Sequence, residues 1–437
     1  MITTIKSKSK GVEVHMILSN YPKLVVGFML IIMLVFGAVS AEENTGQITL
    51  HLAHWDGPGA TNPVPKIVER FMEDHPNINV EIQFGTGDYF SRIIVDLVSG
   101  TAPDVFLWWD YPMIVQEGFL EDLTPFLEKS DILSPDMYFP QVRPYSGLVN
   151  GVTYGLPHSF SPRAILYNMD RFDEGGVLYP ESDWTWEEFR SIAKKLTDPE
   201  KSYYGFSFDT GIYGHSGYIW SGGGQLISED GRQVDGFANS QDTIDAYQWL
   251  ADLRTKDMVV PFSGALPQGA GFATGHIAMV DAGHWALAMY PEQNPNLRFG
   301  AVLPPRQAGK ELQTVIHSSG WVVCSLTKYP DEAVKLLEYL CGPIGHSEVA
   351  RIGWALPCIP EVADEFGFWN DDLKLPFLQS SQHANNVHYF LRNPIWSNTI
   401  EPILQRELDT VFNGDRAAQT ALNAAVQAAQ AILDRQK

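Results

Sequence analysis

The chain is poor in cysteine, in positive charge and in long apolar runs. Three cysteines occur in 437 residues, Cys324, Cys341 and Cys358, at a spacing that matches no zinc or redox motif. Lys and Arg total 30 against 52 Asp and Glu, a formal charge of −22. A surface so acidic argues against nucleic acid and anionic lipid as partners. No G-x-S-x-G elbow and no H-E-x-x-H helix is present. Gly222-Gly223-Gly224 lacks the Lys-Ser/Thr pair of a phosphate loop, and the 12 histidines form no recognised metal spacing. No metal and no cofactor is therefore expected. Internal repeats and long low-complexity tracts are absent.

What is present suits two lobes better than one. A length of 437 residues is long for a single core, and 45% hydrophobic with 12% aromatic content fits a well-packed globular protein. The beginning reads as a targeting segment. Lys6, Lys8, Lys10 and Lys23 precede an apolar run from Leu24 to Phe36, and Val39-Ser40-Ala41 is a small-residue cleavage pattern before Glu42. Residues 1–41 are expected to be a signal peptide, which places the mature chain in the periplasm or on the outer face of the cytoplasmic membrane. An uncleaved anchor over 24–41 and a start at Met16 are the alternatives; with no cysteine nearby, a lipoprotein anchor is not expected. In an exported protein Cys341 and Cys358 are the first pair to test for a disulfide, three buried thiols being the alternative.

Periodicity then gives βαβα. Ile48–Leu52 reads as a strand and Val64–His75 as a helix, stopped by His75-Pro76-Asn77. Ile78, Val80 and Ile82 alternate as a strand, and Tyr89–Ser99 is a helix. Such alternation implies a parallel sheet covered by helices. Further on come an Asn150-Gly151 turn, an extended Val152–Pro157, a strand at 164–167 and a helix opened by the capping box Thr185–Glu188. A capped helix at 240–253, a buried strand at 275–280, a strand at 320–325, a helix at 330–341 and a helical tail from Ile400 complete the pattern.

The stretch from Ser99 to Leu127 carries the most chemical information. It holds a turn, a buried strand (Val105, Phe106, Leu107), and Trp108, Trp109 and Asp110 at that strand's carboxyl end, where ligands sit in open α/β sheets. Indoles supply flat apolar area and a carboxylate accepts hydrogen bonds from hydroxyl groups, a pairing that suits a sugar. Each tryptophan has core packing as its alternative. Trp55-Asp56 repeats the combination at the end of the first strand. Tyr154 lies in the extended segment, Trp220 precedes three glycines, and Trp285 follows the strand at 275–280. Gly320, beside Ser319, would leave space at a strand start. Arg351 and Trp354 lie together further on; Asp281 has a local capping role as its alternative. Beyond Arg163 and Arg351 few cations point to such a site, which disfavours a phosphorylated ligand.

The blocks SGTAPDVF…GFLEDLTPFL, ITLHLAHWDGPG, IVERFMEDHPNINVEIQF, NGVTYGLPHSFSPRAILYN, DWTWEEFRSIAKKLTD, FATGHIAMVDAGHW and SSGWVVCSLTKYPDEAVKLLEYL occur in that family's order and resemble family 1 extracellular solute-binding proteins of ABC transporters. The resemblance runs through the mature chain. It implies a type II periplasmic-binding fold of two α/β lobes, each with a mainly parallel sheet flanked by helices and the ligand cleft between them. On that reading 42–154 and 303–356 form the N-terminal lobe, and 155–302 and 357–437 form the C-terminal lobe. The chain crosses between lobes near Tyr154, returns at 299–305 and crosses a third time at Trp354–Pro357. The implied function is delivery of a di- or oligosaccharide to the membrane permease subunits of an ABC importer by a monomer without enzymatic activity. A glycerol-phosphate or polyol ligand stays open. So does a secreted glycoside hydrolase, since among 52 acidic residues a carboxylate pair can always be nominated.

Overall fold

The structure, a computed structural model, describes residues 47–59, 61–85 and 88–436, with short backbone pieces at 8–9 and 12–13. The chain divides into two units, Met1–Ile48 and Thr49–Lys437. In the first, Lys8–Ser9 pairs antiparallel with Val12–Glu13. The leader and its cleavage pattern lie outside the described residues. Everything below concerns the second unit.

Local sequence accounts for the first elements. Strand β1 (Ile48–His54) is followed by helix α1 (Val64–Asp74), which buries Val64, Ile67, Val68 and Phe71 at helical spacing. Strand β2 is Ile78–Phe84. Helix α2 (Tyr89–Ser99) opens on Asp88, whose carboxylate accepts from the Ser91 N–H. Strand β3 (Val105–Trp108) is buried at every position and leads into the short helix α3 (Tyr111–Gln116).

The centre of the molecule is one 14-residue strand, β4 (Gly155–Asn168). The sequence suggests only an extended segment and a strand at 164–167. In the structure the two are continuous, with Ser159, Ser161 and Pro162 all in register with the neighbouring strand. Helix α4 (Trp186–Lys195) carries the expected capping box of Thr185 and Glu188. Then come β5 (Tyr204–Ser207), α5 (Ile212–Ser221) and α6 (Gln241–Thr255), the last capped by Ser240. Strand β6 (Ile277–Gly283), helix α7 (Ala286–Gln293), β7 (Phe299–Val302) and β8 (Ile316–Val323) follow. Helices α8 (Pro330–Cys341), α9 (Pro343–Ile352), α10 (Glu401–Phe412) and α11 (Ala418–Leu433) follow, with shorter helices at Pro360–Glu365 and Leu375–Ser381 between α9 and α10.

The sheet order is β2-β1-β3-β8-β4-β6-β5, with β7 also on β4. Pairing is parallel for β1 with β3 and for β5 with β6, and antiparallel wherever β4 or β8 meets β3, β6 or β7. The first half of β4 pairs β8, from Gly155–Val322 to Pro162–Ile316. Its second half pairs β6 from Arg163–Gly283 to Tyr167–Met279, and β7 from Ile165–Val302 to Asn168–Phe299. One strand thus belongs to two sheets. Two cores flank it: Ala53, Ile93, Leu97, Phe106, Trp108 and Tyr111 on one side, and a larger one including Phe172, Phe189, Phe206, Tyr247 and Leu404 on the other.

Residues 299–305 do not lead back to the first sheet. Phe299–Val302 pairs the second half of β4, the carbonyls of Leu303 and Pro305 accept from the Trp184 and Trp186 indoles, and Arg306 meets Asp183. The return comes at Ile316, where β8 begins. The tail packs α11 onto α6 and α10, burying Ala421, Leu422, Ala425, Val426 and Ala429. All three cysteines are buried free thiols. No helix among the described residues is long and apolar enough to cross a membrane.

Candidate functional site

A cavity of about 360 Å³ opens between the two cores, a size suited to a small ligand. One wall comes from the first β-α units. Trp55 stands immediately after β1, Phe90 at the start of α2 and Trp109 immediately after β3. Trp55 meets Trp109 edge-to-face with centroids 6.3 Å apart, and Phe90 lies 5.6 Å from Trp55, so each ring holds the others in place. Trp108, the last residue of β3, is buried in the first core, whereas Trp109, just past the strand, lines this space.

The facing wall holds Tyr213 from α5, His317 from β8 and Trp285, which caps the start of α7. Tyr213 and His317 stack at 4.2 Å, and Trp285 meets His317 edge-on at 5.5 Å. Gly283 is required for this wall. A Cβ there would fall 2.0–2.4 Å from the Trp285 ring, so only glycine lets the indole lie back over the end of β6. Arg163 stands behind it, its guanidinium 5.6 Å from the Trp285 ring centroid. That guanidinium is itself held by Asp281, with Nε donating to Oδ1 at 2.6 Å and a second N–H to the Asp281 carbonyl at 3.0 Å.

Small hydroxyls lie between the walls. Ser159 and Ser161 are two apart on β4 and share a face. Ser318 and Ser319 are adjacent on β8, yet both line the cavity. The register of β8 on β4 shifts between Ser319 and Gly320, a bulge that re-aims a side chain. Trp354 and Ala355, just past α9, close the rim. Among the described lining residues there is no carboxylate, lysine or arginine. Burial and the nearby Arg163 hold the His317 imidazole well below its ordinary pKa, so it is neutral.

Of the residues proposed from sequence, Trp55, Trp109, Trp285 and Trp354 come together here. The others lie elsewhere. Trp108 is 1% exposed in the first core, its indole N–H donating to the Asp110 carbonyl at 2.8 Å. Asp110 is buried as well and turns toward the C-terminal segment. Burial pushes its carboxyl up to about 6, against a hydrogen bond from Ser397. Burial likewise raises the nearby Glu401, to about 7, though its carboxylate accepts from the Trp396 indole at 2.6 Å. Trp220 is buried in the second core, and Gly224 after it packs under Thr243 of α6. Gly320 opens no cleft space: a Cβ there would meet the Leu156 carbonyl and the Tyr111 hydroxyl, each at 2.8 Å, so its smallness serves interior packing. Asp56 is outside the lining and its carboxyl is raised by burial. Tyr154 packs on the first core. Arg351 is half exposed on α9, paired with Glu348.

Sequence reasoning missed Phe90, Ser159, Ser161, Tyr213, His317, Ser318 and Ala355. Ser159 and Ser161 did leave a signal, two small hydroxyls at strand spacing in an otherwise apolar run. Tyr213 and His317 left none, for each becomes a site residue only when α5 and β8 meet. Among the described residues no group of three His, Cys, Asp or Glu is placed to hold a metal ion.

Two α/β cores thus share one long strand, with an aromatic cavity between them. The chain belongs to the bacterial extracellular solute-binding protein family, whose model matches residues 57–345. It is 27% identical over 253 residues to the maltodextrin-binding protein MdxE of Bacillus subtilis, covering 56% of this chain and 58% of that one. It is 23% identical over 409 residues to the sn-glycerol-3-phosphate-binding periplasmic protein of Brucella melitensis, covering 87% and 93%. Among solved structures, an ABC substrate-binding protein of Listeria monocytogenes in complex with cycloalternan superposes with a TM-score of 0.76 at 24% identity, covering 89% of this chain and 99% of that one.

Proposed function

We propose that this chain binds a neutral di- or oligosaccharide outside the cytoplasm and delivers it to the membrane permease of an ABC importer, acting as a monomer. The observation that carries this reading is the lining of the cavity. Trp55, Trp109, Trp285, Trp354 and Tyr213 offer flat faces, and four serines and a neutral histidine offer hydroxyl-scale hydrogen bonds. Pyranose rings present that combination of apolar faces and hydroxyl edges. The binding mechanism needs no bond chemistry. A solute touching residues of both lobes favours their closed arrangement by its differential contacts.

Hydrolysis of a glycosidic bond needs two carboxylates flanking it. The described lining offers none, which supports a non-enzymatic role. A phosphorylated ligand is disfavoured because the lining holds no lysine or arginine and Arg163, behind Trp285, is buried and paired with Asp281.

The test is a thermal-shift panel on the mature chain with maltotriose, mannotriose, sucrose, tagatose and sn-glycerol 3-phosphate. A native-state ligand at a hundred times its Kd adds about 2.7 kcal/mol of stability. A neutral saccharide is expected to raise the melting temperature and to be recovered intact. A panel in which no saccharide shifts the transition, or in which only the phosphate ester does, overturns the reading.

A further inference from the structure

We propose that His317 offers a ring nitrogen to a hydroxyl of the bound solute and thereby sorts neutral polyhydroxylic ligands from anionic ones. This rests on the carbohydrate reading above and goes beyond it by naming the residue that discriminates.

The ring is fixed without any hydrogen bond to the described residues. It stacks on Tyr213 at 4.2 Å and 29°, and takes the Trp285 indole edge-on at 5.5 Å and 79°. Tyr213 is anchored in turn, its hydroxyl donating to the Ile316 carbonyl at 3.3 Å and its ring meeting His388 at 4.1 Å. An imidazole held this way has lost its rotational freedom before ligand arrives, so binding through it costs less order. Nε2 is buried without a partner, which leaves Nδ1 as the polar edge of a ring that lines the cavity. Unlike Nε2, Nδ1 is not among the buried atoms and has no partner among the described residues, so a hydroxyl of a solute in the cavity can reach it.

The charges around the ring decide what that partner can be. Tyr213 on α5 stacks on the ring, Arg163 on β4 and His388 act on it electrostatically, and Asp281 on β6 pairs with Arg163. Arg163 is paired with Asp281 at 2.6 Å, with both side chains almost wholly buried. It is close enough to oppose a second positive charge on His317, and burial acts in the same direction. An anion in the cavity therefore gains no cationic partner from His317. A hydroxyl both donates and accepts, so it satisfies the imidazole in either tautomer.

The experiment compares wild type, His317→Phe and His317→Asn by calorimetry at pH 8.0 and pH 5.5. The probes are the saccharide that shifts the panel most and sn-glycerol 3-phosphate. Apo melting temperatures are recorded alongside. Phenylalanine keeps the stack and removes both nitrogens; asparagine gives up the stack and keeps a donor and an acceptor. The expected result is saccharide affinity constant between the two pH values in wild type, a loss of about fivefold or more in His317→Phe, and partial recovery in His317→Asn. Unchanged affinity in His317→Phe overturns the proposal. So does a loss in His317→Asn with none in His317→Phe, which would make the ring a packing element only, and so does glycerol-phosphate binding that strengthens at pH 5.5. Should His317→Phe fail to fold, His317→Asn and the wild-type pH comparison still decide. If wild type itself binds no saccharide, the carbohydrate reading has failed, a result distinct from a silent variant of a binding parent.

Discussion

Trp285 and Trp108 are the same side chain in opposite circumstances, and truncating each to alanine separates binding from folding. Trp285 lies with one face over Gly283 and Arg163 and lines the cavity with the rest. Its removal takes away a ligand platform and a cation–π contact worth about 0.5–1 kcal/mol at partly exposed sites. Loss of an aromatic anchor of this kind costs about 2–4 kcal/mol of binding, or thirtyfold to a thousandfold in Kd at roughly 1.4 kcal/mol per decade. Trp108 is 1% exposed and packs on Phe106, Phe90 and Trp109. Its truncation costs about 3–5 kcal/mol of stability and leaves the Asp110 carbonyl without its donor. At about 2–4 °C per kcal/mol that is a fall of roughly 6–20 °C in the apo transition. Calorimetric titration and scanning calorimetry on both variants supply the two numbers for each. The reasoning is refuted if Trp285→Ala binds saccharide as wild type does, or if Trp108→Ala loses binding while melting unchanged.

Gly283→Ala should reproduce much of the binding loss of Trp285→Ala with the indole still present, because the new methyl occupies the space of the ring; titration showing wild-type affinity would contradict this. Removing one member of the buried Arg163–Asp281 pair, as in Asp281→Ala, should cost about 3–5 kcal/mol in denaturant unfolding. The double variant Arg163→Met/Asp281→Leu should recover a good part of that, since no unpaired charge then stays buried, and a double variant as unstable as the single one would speak against it. The Asp110 and Glu401 carboxyls are raised in the folded state to about 6 and about 7. Groups raised in this way contribute stability that is complete below their unfolded pKa near 4 and lost as pH rises through 6 and 7. Part of the apo stability should therefore fall between pH 4 and pH 7.5, and Asp110→Asn/Glu401→Gln should flatten the pH dependence of unfolding in that window.

Much of the fold is legible in the sequence, because its signals are local. Apolar periodicity outlines α1, α2 and α8, Thr185 and Glu188 cap α4, Ser240 caps α6, and the βαβα order of residues 48–99 specifies a helix-covered sheet. The ordered blocks of the solute-binding family extend that to two lobes and a cleft. Four of the lining aromatics were legible as well: Trp55, Trp109 and Trp285 each stand just past a strand end, and Trp354 follows α9. What separated Trp109 from Trp108 was where β3 ends: Trp108 closes the strand inside the first core, and Trp109 stands past it on the cavity. Trp220 and Gly320 looked open in the sequence and are enclosed by α6, Leu156 and Tyr111, partners distant along the chain. The return of the chain to the first sheet moved from 303 to 316 because the segment between them binds back to Trp184, Trp186 and Asp183. His317, Tyr213 and the four serines became a site only through the meeting of α5, β4 and β8. Local sequence determined which segments are strands and helices; tertiary packing decided which side chains were left facing the cavity, since that depends on what covers every other face.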